Sequence, residues 1–121
     1  MKPVSILLCL MNFLGCQAAD FRSMDADRFA QVIEDTTVVR LDVRTASEYS
    51  QGHIPGALLI DVTQADFMQK AEQLLPKDKT IALYCRSGRR SKTAAMQLAQ
   101  QGYQVVELNT GFNSWKGEVE R

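Results

Sequence analysis

The chain has 121 residues, and its 14 lysine and arginine residues balance 14 aspartate and glutamate residues, so the formal net charge at pH 7 is zero. This length predicts one domain with its own core, and the balanced charge argues against a nucleic-acid-binding surface. Three cysteines, no CxxC pair and His53 as the one histidine argue against a disulfide framework and a zinc site. We therefore expect no metal and no other cofactor.

Residues 1–19 have the composition of an export signal. A positively charged start precedes an apolar run over residues 4–15, and small residues follow at a cleavage point. The apolar run is too short to span a bilayer comfortably. We therefore expect a signal peptide over residues 1–19, a folded domain over residues 20–121, and a location in the bacterial periplasm or cell envelope.

Two processing routes are open for this signal. Residues 14–16 resemble the end of a bacterial lipobox, in which the cysteine, here Cys16, becomes the lipid-bearing N-terminus; Phe13 departs from the leucine that is usual there. Ordinary cleavage after residue 18 or 19 is the alternative. On either route Cys85 is the thiol that lipidation does not consume, and a lipid on Cys16 would be the expected membrane contact.

The elements in the first half of the domain alternate between strands and helices. They are a short edge strand over residues 20–22, a helix over 24–34 with Ser23 as N-cap, a buried strand over 37–43, a helical segment over 45–52 that glycine ends, and a turn over 53–57 that leads into a short strand. The buried strand delivers Asp42 and Arg44 at its carboxyl end.

The second half of the chain continues the alternation. It comprises an amphipathic helix over residues 65–75 that Pro76 stops, a strand over 80–84, a helix over 91–101 with Ser91 as N-cap and Gly102 as C-cap, a strand over 103–108, and a short helix or turn over 111–115. Such alternation predicts an α/β fold with an open parallel sheet covered by helices on both faces. Functional groups in such folds lie beyond the carboxyl ends of the strands.

The loop after the fourth strand concentrates most of the chemistry. Cys85 lies where a buried strand turns into a helix, and three arginines, Arg86, Arg89 and Arg90, follow within five positions. Backbone N–H groups and the helix dipole converge on such a loop and favour bound anions. A free cysteine has a pKa of roughly 8.5, and these surroundings lower it to about 3.5–7.5. Cys85 is therefore predicted to be a reactive thiolate.

The remaining rim residues are better explained by structural roles. Asp42 and Arg44 lie on the same edge as the cysteine loop, and we expect Arg44 to be held by Glu48 while Asp42 braces the neighbouring loop. His53 lies in a tight Gly-His-Ile-Pro-Gly turn, where a structural hydrogen bond is the expected role.

Taken in order, these segments resemble a single-domain rhodanese. The matching segments are residues 41–44 with 48–49, 52–57, 84–91 and 111–115. The resemblance implies a rhodanese-like open five-stranded parallel sheet with helices on both faces, and sulfane-sulfur transfer through a persulfide on Cys85. By position, it also implies a substrate-binding cradle and a supporting set of rim residues. The cradle comprises Arg86, Ser87, Gly88, Arg89, Arg90 and Ser91, and the supporting residues are Asp42, Arg44 and Glu48.

The resemblance also implies the partners. The donor is a small sulfur anion such as thiosulfate, and the acceptor is cyanide or a thiol, with a thioredoxin-like protein as a further candidate. Arg90, which closes the loop, is our first choice for a substrate contact, while Arg86 or Arg89 would face the donor or a partner protein. With no exposed apolar helix expected, the domain is predicted to be a monomer.

Three other functions compete with sulfur transfer. Cysteine-dependent phosphatases and arsenate reductases of this fold need Cys-x5-Arg, whereas Arg90 gives Cys-x4-Arg here and Ser91 occupies the position that the longer loop requires. A non-catalytic binding module usually lacks the cysteine, which this chain keeps. A thiol redox or persulfide relay of the cell envelope differs only in its acceptor, and the sequence does not separate it from a thiosulfate enzyme.

Overall fold

The computed structural model describes residues 20–121. The predicted export signal and Cys16 lie outside the described residues. Within the described part of the chain, no helix is both long and apolar enough to cross a membrane.

The centre of the domain is a parallel sheet of five strands in the order β1-β5-β4-β2-β3. The strands are Arg22–Met24 (β1), Val39–Asp42 (β2), Leu58–Leu59 (β3), Thr80–Tyr84 (β4) and Gln104–Leu108 (β5). All four neighbouring pairs are parallel, which confirms the predicted α/β sheet. Because parallel strands share a direction, the chain segments that leave β2, β4 and β5 meet at one edge.

Helices cover both faces of this sheet. They are Ala26–Val32 (α1), Ala46–Gln51 (α2), Phe67–Leu74 (α3) and Arg89–Gln100 (α4), with a 3₁₀ helix over Phe112–Ser114. Apolar residues of α3 and α4 pack in one core cluster. Those of α1 pack in a second cluster, against which residues of α2 and the 3₁₀ segment also lie. The two clusters, one on each side of the sheet, bury both faces of the strands.

The alternation of side chains along β4 fills both clusters. Ile81, Leu83 and Cys85 point into the cluster under α4, whereas Ala82 and Tyr84 point into the opposite one. Successive side chains of a strand lie on opposite faces, so a strand covered on both sides must be apolar throughout. The same alternation delivers Cys85 to the α4 side of the sheet.

Three predicted helix caps are wrong. Asp25, not Ser23, caps α1 by accepting a hydrogen bond from the Arg28 N–H, because Ser23 is held in β1 opposite Glu107. Gly88, not Ser91, is the N-cap of α4, and Gln101, not Gly102, is its C-cap. The left-handed backbone at Gly88, with φ of 102°, turns the chain into the helix three residues earlier than a cap at Ser91 would.

Candidate active site

The loop that joins β4 to α4 holds the Cys85 sulfur in a shallow cradle. Cys85 is 1% exposed, and the Gly88 N–H donates to its Sγ at 3.1 Å. A side chain at Gly88 would place Cβ only 1.9 Å from the Asn109 carbonyl oxygen. Glycine is therefore required at this position both by its left-handed backbone and by the close approach of the neighbouring loop.

The cradle favours the ionised form of the thiol. Burial opposes ionisation, but hydrogen bonds from the Ser91 hydroxyl and from the backbone N–H groups of Ser91, Gly88 and Ser87 outweigh it and lower the pKa of Cys85. The predicted reactive cysteine thus has a physical basis in its hydrogen bonds. Ser91 acts on the sulfur from the first turn of α4, although it is not the cap of the helix and its hydroxyl donates to Glu107 in the structure.

The segment after β5 fixes the back of the loop. The Phe112 N–H donates to the Cys85 carbonyl at 2.9 Å, and the Asn113 N–H donates to the Arg86 carbonyl at 3.0 Å. Gly111 lies so close that an added Cβ would stand 2.3 Å from the Arg86 carbonyl oxygen. The carbonyl groups of Cys85 and Arg86 therefore bond to this segment, and the N–H groups of the loop remain available to the sulfur.

Arg90 forms an ion pair across the rim of the site. Its guanidinium donates to both carboxylate oxygens of Glu48, at 2.8 and 3.0 Å, and the Arg86 guanidinium lies 4.0 Å from the same carboxylate. Hydrogen bonding from Arg90 lowers the pKa of Glu48 to about 2. Glu48 therefore carries a firm negative charge beside two of the three loop arginines.

The predicted pairing of Arg44 with Glu48 is wrong, because Arg44 binds Asp42 instead. Its Nε and Nη2 atoms donate to the two Asp42 oxygens at 2.9 and 2.7 Å, and Nη2 also donates to the Gly52 carbonyl at 2.7 Å. Both side chains are buried. The Phe112 ring covers the guanidinium, with the Arg44 Cζ 4.4 Å from the ring centroid. Asp42 and Arg44 are two residues apart at the end of one strand, so Arg44 reaches Asp42 more easily than it reaches Glu48 on α2.

Tyr84 extends this buried network into the core. Its hydroxyl donates to Asp42 Oδ2 at 2.7 Å and accepts from the Ile54 N–H at 3.0 Å. Burial, together with the Asp42 charge, raises the pKa of Tyr84 well above its ordinary value. The network ties the ends of β2 and β4 to the turn after α2.

His53 has the structural role that the sequence predicts. Its Nδ1 lies 2.8 Å from the Tyr49 carbonyl oxygen, and its ring stacks on the Tyr49 ring with centroids 3.6 Å apart. His53 is buried and is not among the groups that contact the cysteine loop in these hydrogen bonds.

A cavity of about 210 Å³ opens beside the cysteine loop. Its lining residues are Arg44, Glu48, Gln51, Gly52, Arg86, Phe112 and Asn113. Polar and apolar groups line the cavity about equally, and the Arg86 side chain, which is 64% exposed, is one of the lining groups. Within residues 20–121, no group of three or more histidine, cysteine, aspartate or glutamate side chains could hold a metal ion.

Sequence reasoning missed one residue beneath the loop. Glu107 on β5 is buried and binds Ser91 and Lys92. A single glutamate within the apolar run Val105-Val106-Glu107-Leu108 was the available signal, because a strand covered on both faces seldom carries an unpaired charge. The contact to Ser91 depends on the pairing of β5 beside β4, which the local pattern does not specify.

The fold and the loop together define a class: an α/β domain with a cysteine anion cradle at the carboxyl edge of its sheet. A family model described as the rhodanese-like domain matches residues 25–118. The chain therefore belongs to the rhodanese-like family.

Relatives of similar length carry sulfurtransferase names. The chain is 37% identical over 94 residues to a protein of Allochromatium vinosum named "Sulfurtransferase". The aligned region covers 76% of this chain and 85% of that protein. It is 29% identical over 99 residues to the "Thiosulfate sulfurtransferase GlpE" of Shewanella oneidensis, over 80% of this chain and 94% of that one.

Solved structures agree with the fold. A rhodanese-like domain protein of Staphylococcus aureus superposes with a TM-score of 0.72 and 27% identity, over 83% of this chain and 97% of that one. A rhodanese-related protein of Thermoplasma volcanium gives 0.70 and 28%, over 83% and 98%. The chain also matches 16% of a longer Bacillus anthracis protein, CoADR-RHD, with a TM-score of 0.66.

Proposed function

We propose that this protein is a sulfurtransferase that carries a sulfane sulfur as a persulfide on Cys85. One observation carries the proposal: the buried Cys85 sulfur accepts a hydrogen bond from the Gly88 N–H in a loop that lowers the pKa of the thiol. Membership of the rhodanese-like family and relatives named sulfurtransferases support the same assignment. The proposed donor is thiosulfate or a related sulfur anion.

The transfer takes two displacement steps. In the first, the Cys85 thiolate attacks the outer sulfur of thiosulfate, a new S–S bond forms, and sulfite leaves with the electron pair of the broken bond. In the second, cyanide or a thiolate attacks the outer persulfide sulfur, and the Cys85 thiolate leaves with the electron pair. Because the thiolate is formed before attack and regenerated at the end, neither step requires a general base.

The charges of the loop suit this chemistry. Sulfite leaves as an anion, and the N–H groups that bind the thiolate also bind the outer persulfide sulfur. We assign the first donor contact to Arg86, whose exposed side chain borders the cavity. Arg90 donates two hydrogen bonds to Glu48, so we give it the role of closing the cradle. Arg89, the first residue of α4, is exposed and suits a partner protein.

The acceptor and the cellular location are part of the proposal. We propose a small thiol, cyanide or a thioredoxin-like protein as acceptor, and a monomer exported to the periplasm or cell envelope. A lipid on Cys16 is the proposed anchor. Growth with a labelled fatty acid tests the anchor: label on the wild type that disappears in Cys16→Ala supports it, whereas an unlabelled wild type, or label that survives the substitution, refutes it.

Intact-mass measurement tests the sulfur-transfer step. The purified protein is incubated with thiosulfate and is expected to gain the mass of one sulfur atom. Cyanide should then remove that increment and release thiocyanate. Cys85→Ser should show neither effect while its far-UV circular dichroism stays unchanged. A wild-type protein that never gains sulfur, or a Cys85→Ser variant that retains full activity, would refute the proposal.

The same purified protein also tests whether the site is a phosphatase. With Cys-x4-Arg, the loop is one residue shorter than the phosphate-binding loop that phosphatases of this fold need. We therefore expect no hydrolysis of an aryl phosphate by the protein that transfers sulfur. Hydrolysis without any sulfur uptake would instead assign the cradle to phosphate.

A further inference from the structure

A fully buried carboxylate lies directly behind the cysteine loop. Glu107 is 0% exposed on β5, and it accepts hydrogen bonds from three donors. Ser23 on β1 donates to its Oε1 atom at 2.5 Å, whereas Ser91 and Lys92 on α4 donate to its Oε2 atom at 2.5 and 3.1 Å. A carboxylate that only accepts hydrogen bonds, and that pairs with an ammonium, has the contacts of the ionised form.

Ser91 is shared between this carboxylate and the reactive sulfur. Its hydroxyl donates to Glu107, and the same hydroxyl is a hydrogen-bonding partner of Cys85. A serine hydroxyl has one proton to donate and two lone pairs to accept with. It can therefore donate to the carboxylate or to the thiolate, but not to both at once.

We infer that Glu107 is a positioning residue that competes with Cys85 for the single proton of the Ser91 hydroxyl. While Cys85 is a thiol, Ser91 donates to Glu107 and can accept from the S–H group. When Cys85 is a thiolate, Ser91 turns to donate to the sulfur, and Glu107 keeps its bonds to Ser23 and Lys92. Glu107 thus loses the hydrogen bond from Ser91 when the thiolate forms, and the free-energy cost of this loss opposes thiolate formation. The hydrogen bonds that Glu107 keeps, from Ser23 and Lys92, determine how large that cost is.

The surroundings of Glu107 fit this role. Among the described residues, the charged group in contact with it is Lys92, while Ser23 and Ser91 are neutral. Lys92 also binds the Gly88 carbonyl at 3.1 Å and the Asn109 side-chain oxygen at 3.0 Å, so the ammonium joins the carboxylate to the loop and to the segment that follows β5. The inference rests on the proposed function for its biological meaning, but alkylation of the thiol tests it without a sulfur donor.

The test measures the rate of Cys85 alkylation by iodoacetamide against pH. In Glu107→Gln, the amide can donate to Ser91 and leave the hydroxyl proton for the sulfur. The pH at which the alkylation rate is half-maximal, its midpoint, should therefore fall by about one pH unit, the size expected for one hydrogen bond to a charged group. Ser91→Ala should raise the midpoint. In the double variant Ser91→Ala/Glu107→Gln, the Glu107 substitution should lower the midpoint by clearly less than it does in the wild-type protein.

Two outcomes would overturn the inference. An unchanged midpoint in Glu107→Gln would remove any influence of the carboxylate on the thiol. Equal shifts with and without the Ser91 hydroxyl would assign the influence to charge alone and not to competition for the proton. Since sulfur uptake is measured separately, either result can occur in a protein that still transfers sulfur.

A milder variant covers the case in which Glu107→Gln does not fold. Ser23→Ala removes one donor from Glu107 at the edge strand, so the carboxylate should hold Ser91 more firmly and the alkylation midpoint should rise. Thr80→Ala is the matched control, because it removes a hydroxyl that binds Gln104 at the opposite end of β4 and β5. An unchanged midpoint in Ser23→Ala, or an equal shift in the control, would count against the inference.

Discussion

The Glu48 carboxylate on α2 and the Arg90 guanidinium on α4 bind each other through two hydrogen bonds of 2.8 and 3.0 Å. This bond joins the segment that leaves β2 to the segment that leaves β4, across the mouth of the cysteine cradle. Bidentate pairing fixes the orientation of the guanidinium as well as its position. The pair therefore shapes the site and also contributes to the stability of the fold.

The Glu48 pair should make stability depend on pH. Hydrogen bonding from Arg90 depresses the pKa of folded Glu48 to about 2, so its contribution is fully present above the unfolded pKa and is lost as the pH falls from about 5 toward about 2. Glu48→Gln should lower the free energy of unfolding by about 1 kcal/mol at pH 7 and should reduce its loss between pH 5 and pH 3. Urea denaturation at each pH measures both effects.

An exposed ion pair provides the control for this measurement. Lys70 and Asp66 lie 3.6 Å apart with half-exposed side chains, and such pairs contribute little. Asp66→Asn should therefore leave the pH dependence of unfolding close to that of the wild type. If Glu48→Gln has the same pH profile as the wild type, the Arg90 pair does not stabilise the fold.

Arg86 should affect donor binding more than the chemical step. Its exposed guanidinium borders the cavity beside Cys85, where it can attract a dianion before sulfur transfer begins. Arg86→Ala should raise the KM for thiosulfate about tenfold, which corresponds to roughly 1.4 kcal/mol, with a smaller change in kcat. Steady-state kinetics at two salt concentrations measures this, since added salt should narrow the difference between the proteins.

Arg28 offers a matched exposed arginine on the other side of the sheet. It lies on α1, away from the cysteine loop, so Arg28→Ala should leave the KM unchanged. An equal rise in both variants would mean that overall charge attracts the donor and that Arg86 has no particular role.

Asp42 should be required for stability and not for the reaction itself. Removing its charge leaves the buried Arg44 guanidinium without its carboxylate, and breaking a buried pair in this way costs about 3 kcal/mol or more. Asp42→Asn should lower the urea midpoint accordingly, while the part of the protein that stays folded keeps its sulfur uptake per molecule. A midpoint close to that of the wild type would show that the Gly52 carbonyl and the Phe112 ring suffice to hold Arg44.

Gly111→Ala should damage the cysteine loop directly. The backbone at Gly111 has φ of 69°, and an added Cβ would stand 2.3 Å from the Arg86 carbonyl oxygen, so the loop must shift away from Phe112 and Asn113. We expect sulfur uptake to fall at least tenfold while the far-UV circular dichroism stays close to that of the wild type.

Gly102→Ala is the control that distinguishes the steric contact with Arg86 from backbone strain. Gly102 also has a positive φ, 94°, but nothing lies within 4 Å of its added Cβ. It should therefore lose some stability, about 1 kcal/mol, and retain full sulfur uptake. Equal losses of uptake in the two variants would show that strain alone, and not the contact with Arg86, accounts for the effect of Gly111→Ala.

The sequence by itself determined the α/β alternation and the place of Cys85. An apolar strand followed by a glycine-containing loop and a helix-forming run is a local pattern, and the local backbone rules fix what such a pattern can form. Because parallel strands end at one edge, the same pattern also placed Asp42, Arg44 and the cysteine loop on one rim. The family resemblance rested on these segments, and the fold confirmed it.

Only the tertiary structure decided which charges pair on that rim. Arg44 could have met Glu48 as readily as Asp42 by sequence spacing, and Arg90 lies 42 positions from the Glu48 that it binds. Glu107 reaches the site because β5 lies beside β4, so that its side chain passes behind Ser91. Hydrogen bonds act only over about 3 Å, so a residue's partner depends on the three-dimensional packing of distant segments, which local sequence patterns do not encode.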